Sequence, residues 1–241
     1  MTEVGDGQCY HAATTEGLLH VMDIDIPDEY RNIDLVRAVS NGTMIGPAAA
    51  SPSYQRTREM TLDELLLENR VIFLIGEINH ASSARVMMQM LYLEDQKRSQ
   101  DINLYINSPG GGVDDTLAIY DTMRFISSDV ATYCIGRAYS GAAVLLSAGV
   151  TGRRHILPHA KVMIHQPYGG VTGQTADVQI QADQIIKAKK TLNEILAEHT
   201  GQPFDQVAAD GERDKYFDAE EAKAYGLVDE VFAFTDDKKK D

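Results

Sequence analysis

Between residues 71 and 165, short runs rich in β-branched residues alternate with stretches whose apolar side chains recur at helical spacing. Few architectures accommodate that order, because strands separated by helices pair in parallel and need crossovers that cover the sheet. Val71-Ile72-Phe73-Leu74-Ile75 reads as a buried strand stopped by Gly76, and residues 82–95 then place Val86, Met87, Met90 and Leu93 on one helical face. Ile102-Asn103-Leu104-Tyr105-Ile106 is the next strand, and a glycine-rich break and a helix over 116–126 follow it. A strand over 130–135, a short apolar helix over 141–148 and a strand over 161–165 continue the pattern. A longer amphipathic helix is expected over 182–199, with Ile185, Ile186, Leu192, Ile195 and Leu196 on one side. A helix over 219–225 and a strand over 228–232 close the series. The class is α/β with a parallel sheet.

Residues 1–59 carry no sustained period, and Gly46-Pro47-Ala48-Ala49-Ala50-Ser51-Pro52-Ser53 has the small-residue character of a linker. We expect a flexible leader there, with a short helix over 33–39, ahead of one domain over 60–234 and a frayed tail over 235–241. Charge narrows the partners. With 22 Lys+Arg against 36 Asp+Glu the formal net charge is -14, which repels nucleic-acid phosphates and anionic membrane surfaces. Cys9 and Cys134 are too few for a disulfide framework, and no apolar run approaches the ~20 residues of a bilayer crossing. The expected location is the cytoplasm, with neither nucleic acid nor membrane as a partner.

Two glycine-rich breaks follow strand ends, where α/β sheets bind ligands. Ser108-Pro109-Gly110-Gly111-Gly112 matches neither the phosphate loop nor the dinucleotide fingerprint, so no cofactor site for ATP or NAD is expected in this chain. The second break, Gly136-Arg137-Ala138-Tyr139-Ser140-Gly141-Ala142-Ala143, puts Ser140 where a strand gives way to an apolar helix. Such a serine either caps the helix or acts as a nucleophile whose oxyanion the helix-start amides would favour. Ala138 and Ala142 flank it where a hydrolase elbow has glycines. A nucleophilic serine needs a base. Of the seven histidines, His11 and His20 lie in the leader, His80, His155 and His159 sit in polar or turn-like contexts, and His199 ends the long helix, where a cation suits the dipole. His165 closes a strand at the same end of the sheet as Ser140. The orienting acid is usually a carboxylate, and Asp210, Glu212, Asp214 and Asp218 all remain open on spacing alone.

Several motifs occur in a fixed order: Tyr105-Ile106-Asn107-Ser108-Pro109-Gly110-Gly111, Ala118-Ile119-Tyr120-Asp121-Thr122-Met123, Met163-Ile164-His165-Gln166-Pro167 with Gly169-Gly170, His199-Thr200-Gly201-Gln202, and Glu212-Arg213-Asp214 before Tyr225-Gly226-Leu227-Val228-Asp229. With them the sequence resembles the proteolytic subunits of Clp protease, the ClpP family, over roughly residues 60–234. The resemblance implies the ClpP/crotonase-like fold of repeated β-β-α or β-α units with a protruding helix-strand handle. It also implies a serine endopeptidase that hydrolyses unfolded proteins, with Ser140 as nucleophile, His165 as base and Asp214 as orienting acid. The Gly111 and Gly141 amides would be the oxyanion donors, and Arg213 a residue bridging two rings.

The family further implies two stacked seven-membered rings enclosing the sites, and an AAA+ unfoldase of the ClpX, ClpC or ClpA type that consumes the ATP. The chain departs from the family pattern at the nucleophile. Relatives read Ala-Ser-Met-Gly-Ala there, and this chain has Tyr139-Ser140-Gly141-Ala142-Ala143. Glycine is expected to loosen the donor amide, and Tyr139 to add bulk beside the serine. The leader is longer than the family suggests, so a propeptide or a start at Met44 is expected. Two alternatives stand beside the protease: a structural paralogue that builds a mixed ring with an active sister subunit, and a crotonase-like acyl-CoA enzyme that needs no nucleophilic serine.

Overall fold

A computed structural model describes residues 60–170 and 172–232, and the expected leader and tail lie outside them. The chain order is α1 (Leu62–Glu68), β1 (Val71–Ile75), α2 (His80–Gln96), β2 (Ile102–Ser108), α3 (Val113–Phe125), β3 (Val130–Tyr139), α4 (Gly141–Ser147), β4 (Arg154–Ile156), β5 (Lys161–Ile164), α5 (Thr175–Thr200), α6 (Phe204–Asp210), β6 (Lys215–Phe217), α7 (Ala219–Tyr225) and β7 (Glu230–Val231). Strands β1, β2, β3, β4 and β7 pair in that order, all parallel, while β5 pairs parallel with β3 and antiparallel with β6. The expected α/β class with crossover helices is what forms.

The strands are buried in register with their sequence. Every second residue of β2 is inward, from Ile102 through Leu104 and Ile106 to Ser108. The apolar helical residues Val86, Met90 and Leu93 of α2 and Ile119, Tyr120 and Met123 of α3 close over the sheet in one core. Helix α4 is buried along all seven residues, which its composition of Gly, Ala, Val, Leu and one Ser permits.

Strand β3 runs to Tyr139, four residues past the expected end at 135. One edge of it stays on β2 as far as Ala138, opposite Ser108, while the other edge passes from β4 at Thr132–Cys134 to β5 at Arg137–Tyr139. A register shift between Ile106 and Ser108 accompanies this change of neighbour. The long helix begins at Thr175, seven residues before the expected start, and spans about 39 Å at the helical rise of 1.5 Å per residue. Its first half is almost wholly exposed, and its second half buries Asn193, Ile195 and Leu196. This helix supplies the handle, whereas the segment ahead of it carries no strand among its described residues.

Four short elements lie outside the expected series, two of them for want of pattern. Strands β4 and β6 have three residues each, fewer than a period of two can declare. Helix α1 did advertise itself, through a capping box between Thr61 and Glu64, and α6 starts after Pro203. None of the helices among the described residues is long and apolar enough to cross a membrane.

Candidate active site

The position of Ser140 is set by the pairing of β3 with β5. Register pairs Ala138 with Val162 and Tyr139 with Met163, so both strands end side by side. Ser140 then adopts φ 57° and ψ −125°, and it is one of two non-glycine residues with positive φ among the described residues, the other being Arg70. Such a conformation costs on the order of 1–3 kcal/mol and persists where surroundings over-determine it. Its surroundings do so: the Ser140 amide donates to the Met163 carbonyl at 2.8 Å, and the Ser140 carbonyl accepts from Ala143 at 2.9 Å. The side chain makes no cap bond to the helix and is left to face the cleft.

The serine hydroxyl lies 2.8 Å from His165 Nε2, and His165 Nδ1 lies 3.1 Å from Asp214 Oδ1. With Nδ1 donating to the carboxylate, Nε2 is the acceptor of the serine proton. The His165 side chain is 13% exposed and that of Asp214 56%, so the relay is sheltered at the serine and open at the acid. The other three carboxylates of the segment are engaged elsewhere. Asp210 accepts from Lys215 at 2.7 Å and from Tyr225 at 2.9 Å, Glu212 accepts from Lys189 at 2.8 Å, and Asp218 caps α7.

The glycine triplet packs directly against this turn. A Cβ on Gly110 would sit 2.5 Å from the Tyr139 carbonyl oxygen and 2.7 Å from the Ser140 Cβ, and one on Gly111 would sit 2.0 Å from the Ile78 carbonyl oxygen. Both positions exclude any side chain. Gly141, expected to be slack, is fully enclosed, with the Thr116 side chain occupying the space a Cβ would need. Tyr139 packs edge-on against Tyr216 with centroids 5.5 Å apart and borders the same cleft as Ser140.

A cavity of about 630 Å³ opens over these residues and takes in Ser140, His165, Asp214, Gly111 and Gly141 together. Val144, Thr116 and, from α5, Leu192, Asn193 and Leu196 line it further. Sequence reading placed Leu192 and Leu196 in a core stripe and passed over Thr116, Asn193 and Tyr168, whose ring stands edge-on to His165 at 5.6 Å. The one available signal was the shared i, i+4 spacing of Leu192 and Leu196 next to a polar Asn193.

His199 and His155 have structural surroundings. His199 is not a surface cation at a helix end: burial lowers its pKa, and its Nε2 meets the Tyr120 hydroxyl at 3.2 Å. His155 is buried between the rings of Tyr133 and Phe232, 4.8 and 4.5 Å away. Burial pushes the Cys134 thiol up to about 12, which leaves it inert as a nucleophile. Arg213 is exposed and makes no ion pair among the described residues. No group of His, Cys, Asp and Glu among those residues is arranged to hold a metal.

A serine, an imidazole and a carboxylate in hydrogen-bonded series beside close-packed backbone amides is the constellation of a covalent acyl-transfer site. Comparison with known proteins agrees in class. The family model described as Clp protease matches residues 54–235, and the chain belongs to that family of serine-type peptidases. One relative is the ATP-dependent Clp protease proteolytic subunit 1 of Rhodopirellula baltica, 49% identical over 211 residues that cover 88% of this chain and 93% of the relative. Membership removes the acyl-CoA enzyme from consideration.

Proposed function

We propose that the chain cleaves peptide bonds through Ser140, His165 and Asp214. His165 Nε2 takes the proton of the Ser140 hydroxyl as its oxygen attacks a peptide carbonyl, and the Nδ1 proton stays with Asp214, which stabilises the imidazolium. The imidazolium then protonates the leaving amine, and the acyl-serine is hydrolysed by water activated in the same way. The Gly111 and Gly141 amides would hold the oxyanion. The observation that carries this reading is the unbroken series of 2.8 and 3.1 Å contacts in one cavity.

The substrates are unfolded polypeptides, and the working form is a pair of stacked seven-membered rings that hides the sites, with or without a paralogous subunit. Exposed apolar side chains support self-association: Met88 and Tyr92 on α2, Phe125 at the end of α3, and Ile180 and Ile186 on α5. Arg213 would bridge between rings. An AAA+ unfoldase supplies the ATP-driven step, and this chain itself uses no cofactor. The test is covalent labelling of the parent by a fluorophosphonate together with hydrolysis of a fluorogenic peptide. Ser140→Ala should abolish both, with a rate loss of about 10⁴-fold or more. A Ser140→Ala protein that hydrolyses peptide at the parental rate would refute the assignment.

A further inference from the structure

His165 lies just past the end of β5 and Asp214 just before β6, so the contact between them depends on how two chain ends are held beyond the last ladder pair, Ile164 with Lys215. One main-chain bond continues there, from the Gln166 amide to the Gly211 carbonyl at 2.6 Å. Three side chains then complete a closed set. Gln166 Nε2 donates to the Glu212 carbonyl at 3.1 Å and faces Glu212 Oε1 at 3.4 Å. The Lys189 ammonium donates to Gln166 Oε1 at 2.9 Å and to Glu212 Oε2 at 2.8 Å. Gln166 is the neighbour of the base, Glu212 stands two residues before the acid, and Lys189 belongs to α5.

We infer that Lys189, Gln166 and Glu212 form a clasp that sets the alignment of His165 on Asp214, and are therefore positioning residues for the triad, on whose assignment this inference rests. A lone ion pair at the surface contributes little. Here one ammonium is shared by acceptors from both segments, and the amide of Gln166 closes the third side, so removing the cation loosens both segments at once and leaves only the Gln166 bonds to tie them. Hydrogen bonding and attraction from Lys189 hold Glu212 below the usual carboxylate range, consistent with an ionised partner across the working pH range. The clasp also fastens the triad to the middle of α5, whose first half is otherwise exposed.

The test uses the full chain in its assembled form. Lys189→Met and Glu212→Gln should each lower kcat for a fluorogenic peptide by about tenfold with KM within about twofold, because alignment acts on the reacting groups and not on substrate binding. Lys189→Arg should recover most of the loss. The double variant removes one charge of each sign, so a downward displacement of the acidic limb of kcat/KM there reports a poorer His165–Asp214 contact and not a changed local charge. It should also cost less than the two single losses combined. Parental kcat and an unmoved limb in the double variant would overturn the clasp, as would equal losses in Lys189→Arg and Lys189→Met. If Lys189→Met fails to assemble, Gln166→Met is judged by the same kcat and KM criteria. Fluorophosphonate labelling of the parent is read alongside: no labelling strikes the triad itself, whereas labelling with unaffected variants strikes the clasp alone.

Discussion

Gly141 should not tolerate the side chain that the family pattern has at its position, and the reason is Thr116. A Cβ at Gly141 would lie 2.3 Å from Thr116 Oγ1, 3.0 Å from its Cγ2 and 3.2 Å from its Cβ. Thr116 has no room to withdraw. It is fully buried, and its hydroxyl donates to the Gly112 carbonyl at 2.8 Å. Its branched side chain is stiff at χ1, so rotating the hydroxyl away would drive the methyl into the same space. Gly141→Ala must therefore displace α4 or the start of α3. Overpacking of this kind costs about 1–3 kcal/mol. A shift of α4 also moves the Gly141 amide, proposed above as an oxyanion donor, and losing one such donor costs about 10²–10³ in kcat.

Thr116→Ala removes the two closest atoms and leaves a 3.2 Å approach that a few tenths of an ångström relieve. The informative experiment is the cycle of parent, Gly141→Ala, Thr116→Ala and the double variant, read as kcat and KM on one fluorogenic peptide and as Tm. Gly141→Ala should lose kcat with KM little changed, and the double variant should recover at least tenfold of that loss. Thr116→Ala alone should be mildly affected, by about 1 kcal/mol in stability for its lost hydrogen bond. Full activity of Gly141→Ala, or a loss that Thr116→Ala leaves unchanged, would refute the packing argument.

Asp214→Asn keeps the shape of the relay but should cost about 10³–10⁴ in kcat, because an amide donor favours the wrong imidazole tautomer; a smaller effect than tenfold would contradict the orienting role. Burial holds His155 and His199 below the ordinary histidine value of 6.5, with nearby carboxylates opposing it in both. The unfolded chain therefore takes up these protons first, so stability is full above about pH 6.5 and falls as pH drops below it. In a Ser140→Ala background, His155→Phe should flatten that decline and raise Tm at pH 5.5 by about 2–4 °C, since it also removes a buried Nδ1 that makes no hydrogen bond and only a 3.5 Å approach to Glu230 Oε2; parallel curves would contradict this. The Arg154 guanidinium is buried and grips Asp229 through Nε at 2.9 Å and Nη2 at 2.6 Å. Burial of Asp229 opposes its ionisation, but Arg154 and the Gly152 amide together hold it low. Asp229→Asn should cost about 3 kcal/mol, the low end for a broken buried pair because Asp229 keeps some solvent contact. A Tm loss well short of the corresponding 6–12 °C or so would show that the pair is screened.

What could be read in the sequence is what is local. Ser140 and His165 each sit at the boundary of a strand whose apolar run declares itself, and both strands end on the same side because parallel pairing puts them there. The placement of Tyr139 beside the nucleophile follows from adjacency alone. Thr116 behind Gly141 was not legible, since it joins the first turn of α3 to the first residue of α4 across the core. Nor was the clasp, whose Lys189 carries no periodic signal and whose partners lie 23 residues away on either side.

The proposed acid, Asp214, is the instructive case. Four carboxylates crowd one short segment, and composition cannot rank them. The decision is made by the register of β5 on β6, which sets Ile164 opposite Lys215, Met163 opposite Tyr216 and Val162 opposite Phe217. Continued by one residue, that antiparallel count places His165 opposite Asp214. A slip of one position would bring Arg213 or Lys215 to the imidazole instead, replacing an orienting anion by a cation. The register in turn rests on Phe217, 4% exposed, which anchors the three-residue strand in the core. The proposed relay thus hangs on an apolar side chain three residues from Asp214, and Phe217→Ala should separate His165 from Asp214 through misregistration as well as through the cavity it leaves.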